Sequence, residues 1–177
     1  DNSGGDQEQY EDIKVVDGKV RFYLQEKSNS TRTATNMTAR DWAGSKVEMN
    51  GKSYSVELSN DKTPRPYIEV PKADRYEAVL LTSTSNKWYA KTPKSDIKFP
   101  YSQFYHTAVS DIKSFPMYAS YTKENGNKLI FSDGFALVYV RLKGTAKITS
   151  VKVENPMGKA IAGYSALNSK GEFVVKR

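Results

Sequence analysis

Hydrophobic positions along this 177-residue chain recur with a period of two rather than 3.6, the spacing of strands that turn one face to a core. The pattern is strongest in FALVYVRLKGTAKITSVKVEN, residues 135–155. Ala136, Val138, Val140 and Leu142 line one face, and Phe135, Leu137 and Tyr139 line the other until Arg141 and Lys143 turn to water. A strand apolar on both faces at one end and on one face at the other predicts a central strand leaving the core. Gly144-Thr145 turns the chain, and Ile148 falls out of phase with Val151 and Val153, which predicts a partner strand bulged near Thr149-Ser150.

The same reading predicts hairpins elsewhere. In IKVVDGKVRFYL, Asp17-Gly18 suits a two-residue turn whose central positions both need positive φ, setting Val15 against Val20 and Ile13 against Phe22. In KVEMNGKSYSVEL, Asn50-Gly51 turns, Val47 meets Tyr54, and Val56 and Leu58 continue the same face. RPYIEVP, bracketed by prolines, reads as a short strand near a sheet edge. The apolar run in YEAVLLTSTSNKWYA suits a central strand. Asn125-Gly126 marks another turn, and KAIAGYSALNSKGEFVVK supplies two strands around a Gly-containing turn.

Between these lie long connections. The Ser/Thr/Asn-rich stretch between residues 26 and 44 predicts a surface loop, and residues 91–116, with prolines at 93, 100 and 116, an irregular excursion. Residues 1–12 hold five acidic residues, two glycines and no aliphatic side chain, too little apolar surface to order themselves, and read as a disordered tether. No window shows helical periodicity with caps. The expectation is an all-β fold, an antiparallel β-sandwich over residues 13–177.

Several blocks also resemble a known family. VEMNGKSYSVEL, IEVPKADRYEAVLLTST, SFPMYASY and LIFSDGFALVYVRLKGTAKITSVKVENPMGKAIAGYSAL are similar, in order, to the successive blocks of the fimbrillin-like surface lipoproteins of Bacteroidetes. STRTAT, after the first strand, resembles the Thr-Arg-Ala element that those proteins carry early. The resemblance spans roughly Lys14 to Lys176 and rests on patterned hydrophobics and turns rather than on an invariant motif. It implies a Greek-key, transthyretin-like sandwich on the cell surface, exported as a lipoprotein and held to the outer membrane by a lipid anchor preceding Asp1. In fimbrial members, proteolysis after an arginine frees an N-terminal strand and subunits join by strand exchange. Arg32, in STRTAT, and less well Arg40 carry over as candidate processing sites. Full fimbrillins have a second domain, and this chain is expected to match an N-terminal domain or a shorter relative.

Composition narrows the chemistry. With no cysteine there are no disulfides, thiol nucleophiles or thiolate metal sites. One histidine, His106, cannot build a histidine-rich metal centre. The sequence holds no Gly-x-Ser-x-Gly, Walker-type loop, Gly-rich dinucleotide fingerprint or His-Glu-x-x-His, so no catalytic residue, metal or cofactor is expected. No apolar run approaches the ~18 residues of a membrane-spanning helix. Net charge is +7, with Lys and Arg rising from 8 against 10 acidic residues over 1–60 to 10 against 4 over 121–177. These bases alternate with apolar residues as solvent-facing strand positions do, and without a basic block nucleic acid is not an expected partner. Nine aromatics between 88 and 121 offer a different function, surface glycan binding, with Trp88, Tyr89, Tyr101 and Tyr105 as stacking candidates. The competing explanation is that these rings pin the excursion to the core. The first expectation is thus a fimbria-type adhesion protein meeting other surface subunits, the second a binder of host or bacterial surface glycans.

Overall fold

The structure, a computed structural model, describes residues 12–27, 37–81, 97–99, 116–133, 141–152, 154–158, 163–167 and 173–175. Among the described residues, twelve strands account for almost all the regular structure: β1 (Val15–Val16), β2 (Lys19–Glu26), β3 (Lys46–Met49), β4 (Lys52–Ser55), β5 (Glu57–Leu58), β6 (Pro66–Pro71), β7 (Glu77–Leu81), β8 (Ile97–Phe99), β9 (Met117–Ser120), β10 (Lys128–Asp133), β11 (Gly163–Leu167) and β12 (Phe173–Val175). The fold is all-β. Nine strands form one mixed sheet in the order β4-β3-β7-β9-β10-β2-β6-β5, with β1 flanking β2, and β12-β11-β8 form a second, three-stranded sheet.

The large sheet closes nearly into a barrel. Its two outermost strands, β4 and β5, are consecutive in sequence and separated by Val56 alone. Val56 still donates its N–H to Ser45 O at 3.1 Å, and Glu57 then pairs with Tyr67 of β6. The expected continuous face over Val56 and Leu58 is therefore a handover. The chain leaves one end of the sheet and joins the other, with buried Val56 as the pivot.

The second turn is at β10. Lys128–Phe131 pair in parallel with Tyr23–Glu26 of β2, whereas Ser132 and Asp133 pair antiparallel with β9. The sheet is thus not purely antiparallel as expected. This ladder needs no hairpin, because its strands lie about a hundred residues apart in sequence and are joined through the rest of the barrel.

Alternation fills the interior. Val20, Phe22 and Leu24 of β2, Ile68 and Val70 of β6, Leu129 and Phe131 of β10, Val47 and Met49 of β3, Ala78 and Leu80 of β7, and Met117 and Ala119 of β9 form one core. β7 buries Val79 and Leu81 as well, so the expected central strand is covered on both faces. Phe22 and Tyr121 each pack edge to face on Tyr76, with centroids 4.9 and 5.7 Å apart, and meet each other tilted at 5.8 Å, at one side of this core.

Both two-residue turns stand where the sequence places them. Asp17 and Gly18 have φ of 52° and 71°, and Val15 pairs with Val20, but β1 begins at Val15 and the expected pairing of Ile13 with Phe22 is not part of the ladder. Asn50 and Gly51 have φ of 51° and 77°, and Val47 pairs with Tyr54. Asn125-Gly126 differs: it closes a 3₁₀ turn over Lys123–Asn125. RPYIEVP becomes β6, one strand in from the edge and covered by the two residues of β5. KAIAGYSALNSKGEFVVK gives β11 and β12, paired Leu167 to Phe173.

Other expectations are corrected. The loop expected between residues 26 and 44 contains a helix, α1 (Ala39–Ala43), capped by Thr38, whose hydroxyl accepts from Asp41 N at 3.2 Å while the Asp41 carboxylate accepts from Thr38 N at 2.8 Å. Five residues are too few for a periodicity reading, but this reciprocal cap and the burial of Trp42 against Phe131 hold the turn. The irregular 91–116 excursion includes β8, which pairs with β11. Residues 141–152, expected as strand, bulge and hairpin, form no strand and are exposed, including Leu142, Ile148 and Val151. Alternation makes a segment compatible with a strand, but only a ladder partner and a surface to cover fix it as one. Residues 135–140 lie outside the described set.

Candidate functional site

The element that organises the molecule's outer surface is β2. It lies between β6, which pairs with Lys19–Tyr23, and β10, which pairs with Tyr23–Glu26. Its inward residues alternate as Val20, Phe22 and Leu24, each buried. Tyr23 N donates to Asn127 O and Lys27 N to Phe131 O, both at 2.8 Å, bracketing the parallel ladder. At its far end the Glu26 carboxylate accepts from Met37 N at 2.7 Å. That bond clasps together the two ends of the connection from Lys27 to Met37, the segment that carries Arg32 in its sequence.

The outward residues of β2 and β6 form a charged and aromatic ladder. Arg21 reaches Glu69 through Nε at 2.9 Å and Nη2 at 2.5 Å, and its guanidinium lies 4.1 Å from the Tyr67 ring centroid. Tyr23 and Tyr67 meet edge to face at 6.2 Å, and the Arg65 guanidinium sits 4.0 Å from the Tyr23 ring. Arg65 in turn bonds Asp61 at 3.2 Å, and Ser59 donates to the same carboxylate at 2.8 Å. The chemistry follows from these contacts. Arg21 is held above its ordinary pKa, chiefly by its bond to Glu69 and next by Tyr23. Asp61 is held below its ordinary value by the Ser59 hydroxyl and then by Arg65. Tyr67 is raised, first by its bond to the Glu57 carboxylate and then by burial. The charged groups, Arg21, Glu69, Arg65 and Asp61, are substantially exposed while Tyr23 and Tyr67 are half-buried, so the ion pairs order a surface more than they stabilise a fold.

Beside this ladder the sheet opens. β1 and β10 flank the same side of β2 but do not meet, and in their fork lies a cleft of about 510 Å³ lined by Lys14, Val16, Asp17, Lys19, Arg21, Tyr23, Glu69 and Asn127. Type I′ turn geometry at Asp17-Gly18 sets the angle of the β1 wall. Among the described residues no group of three or more acidic or histidine side chains is placed to hold a metal ion.

The expected site residues fall elsewhere. Arg40 is exposed on α1, where its carbonyl accepts from Gly44 N at 3.2 Å. Arg32, Trp88, Tyr89, Tyr101 and Tyr105 lie outside the described residues. What sequence reasoning passed over is the outward half of two strands. Lys19-Val-Arg21-Phe-Tyr23 and Arg65-Pro-Tyr67-Ile-Glu69 each carry Arg-x-Tyr at alternate positions, and that repeat was the available signal. No family model, curated protein or solved structure matches this chain.

Proposed function

We propose that this chain is a fimbria-type surface subunit, tethered at the outer membrane, that assembles by exchanging its N-terminal strand. The finer description of its fold belongs to the same proposal: a flattened, Greek-key, transthyretin-like sandwich whose edges meet through Val56. One observation carries the reading. β2, the N-terminal long strand, is held by β6 along Lys19–Tyr23 and by β10 along Tyr23–Glu26, with three inward side chains filling successive core sites. A cut after Arg32 would sever the covalent link from β2 to the rest of the barrel while leaving the Glu26–Met37 clasp and both ladders in place.

Energetics then favour exchange over release. Exposing Val20, Phe22 and Leu24 costs about 1.5–3 kcal/mol each before any ladder is counted. The cut strand therefore stays until an incoming strand of matching alternation takes its place, ladder by ladder. Arg40, with its carbonyl bonded in a helical turn, is the poorer substrate of the two arginines, since proteases bind extended chain.

The test is limited digestion with an arginine-specific protease followed by size-exclusion chromatography with light scattering. Cleavage at Arg32 with oligomers that grow with protein concentration is the expected result. A clean cut that leaves a monomer at every concentration refutes strand exchange.

A further inference from the structure

We infer that the cleft in the fork of β1, β2 and β10 binds an acidic saccharide, a sugar carrying one carboxylate. Lys14, Lys19 and Arg21 line the cleft together with Asp17 and Glu69. Arg21 and Glu69 are committed to each other, which leaves Lys14 and Lys19 against Asp17, a net positive charge that one anionic group would neutralise. Long polyanions are disfavoured at the same place, because one net positive charge is too little to hold successive phosphates and Asp17 would repel them. A single carboxylate set among hydroxyls fits this balance better.

The remaining lining suits the rest of a sugar. Hydroxyls need donors and acceptors close together, and the Asn127 amide, the Tyr23 phenol and the outer oxygens of Asp17 and Glu69 supply both. The apolar face of a pyranose needs a nonpolar surface beside them. Val16, 55% exposed in a strand, and the half-buried Tyr23 ring offer one. Size agrees as well, since about 510 Å³ falls in the usual range of small-ligand clefts.

The site is also held in shape before any ligand arrives. The Tyr23 ring is fixed by Arg65 at 4.0 Å and by Tyr67 at 6.2 Å, and Arg21 is fixed by Glu69 and the Tyr67 ring. Asn127 is anchored through the bond from Tyr23 N to its carbonyl. Prior order of this kind lowers the entropy lost on binding. The inference does not rest on strand exchange, and uses residues other than Trp88, Tyr89, Tyr101 and Tyr105.

The experiment is an NMR titration of the uncleaved, ¹⁵N-labelled full chain with sialyllactose, a galacturonate disaccharide and lactose. The expected result is saturable shifts of the Val16, Lys19, Arg21, Tyr23 and Asn127 amides with both acidic sugars and little change with lactose. The K14Q/K19Q variant should bind at least about tenfold more weakly at an unchanged melting temperature. Equal response to lactose, shifts confined to another surface, no saturable shift, or wild-type affinity in K14Q/K19Q would each overturn the inference. A cleaved wild-type chain that stays monomeric would count against strand exchange and leave the binding result to stand.

Discussion

Replacing Phe22 by alanine tests the placement of β2 most directly. Its side chain is fully buried and meets Tyr76 at 4.9 Å and Tyr121 at 5.8 Å, in a part of the core where two rings depend on the third. Truncation loses the transfer free energy of the ring and leaves a cavity, together about 3–5 kcal/mol. Aromatic contacts of about 0.5–1.5 kcal/mol per pair are part of that sum. Against a typical domain stability of about 5–15 kcal/mol the variant should still fold, with a lower urea midpoint and an unchanged m-value. Urea titration followed by far-UV circular dichroism reads both quantities. Arg21→Ala is the internal control: one residue away but facing outward, it should cost under about 1 kcal/mol. The two costs compared fix the register, because a slip of one residue would exchange the faces of the whole strand. If Phe22→Ala costs less than about 1 kcal/mol, or no more than Arg21→Ala, the core described here is wrong.

Three further outcomes follow from local geometry. Thr38→Ala removes half of the reciprocal cap on α1 and should cost about 1 kcal/mol, with a red shift in Trp42 emission; an unchanged midpoint would show that burial of Trp42 alone holds the turn. Gly51 has φ of +77° with nothing within 4 Å of an added Cβ, so Gly51→Ala should cost about 1 kcal/mol through backbone conformation alone, whereas Gly144→Ala, which has no such φ, should be near neutral; equal costs would refute this. Because the folded state raises the pKa of Tyr67, its contribution is complete below the ordinary phenol value of 10.0 and is lost as pH rises through the folded value. Tyr67→Phe should therefore flatten the alkaline fall in melting temperature, and an identical profile in the variant would remove the Glu57 bond from the account.

How much of this was legible depended on whether the determining contact was local. Asp17-Gly18 and Asn50-Gly51 specify their turns through residues that tolerate positive φ, and their registers followed. The burial of both faces of Glu77–Leu81 was written in an unbroken apolar run. The parallel pairing of β2 with β10 was not legible, because nothing near Lys128 encodes the strand that will lie beside it. α1 was missed for a different reason: its signal was a cap, Thr38 with Asp41, rather than a period. The cleft was half legible. Arg-x-Tyr in two strands announced an outward ladder, but the fork that opens beside it arises only once β1 and β10 are placed on the same side of β2.

That same parallel ladder has a mechanical consequence. Because β2 and β10 run in one direction, a pull outward on the N-terminal end of β2 and the C-terminal end of β10 drags the strands along each other. Under such a load the bonds from Tyr23 to Lys27 and from Asn127 to Phe131 share the force and must yield together, whereas the two pairs of the β1 hairpin, loaded end-on, open one at a time. A chain pulled at these two points would give a little at β1 and then hold fast at β2.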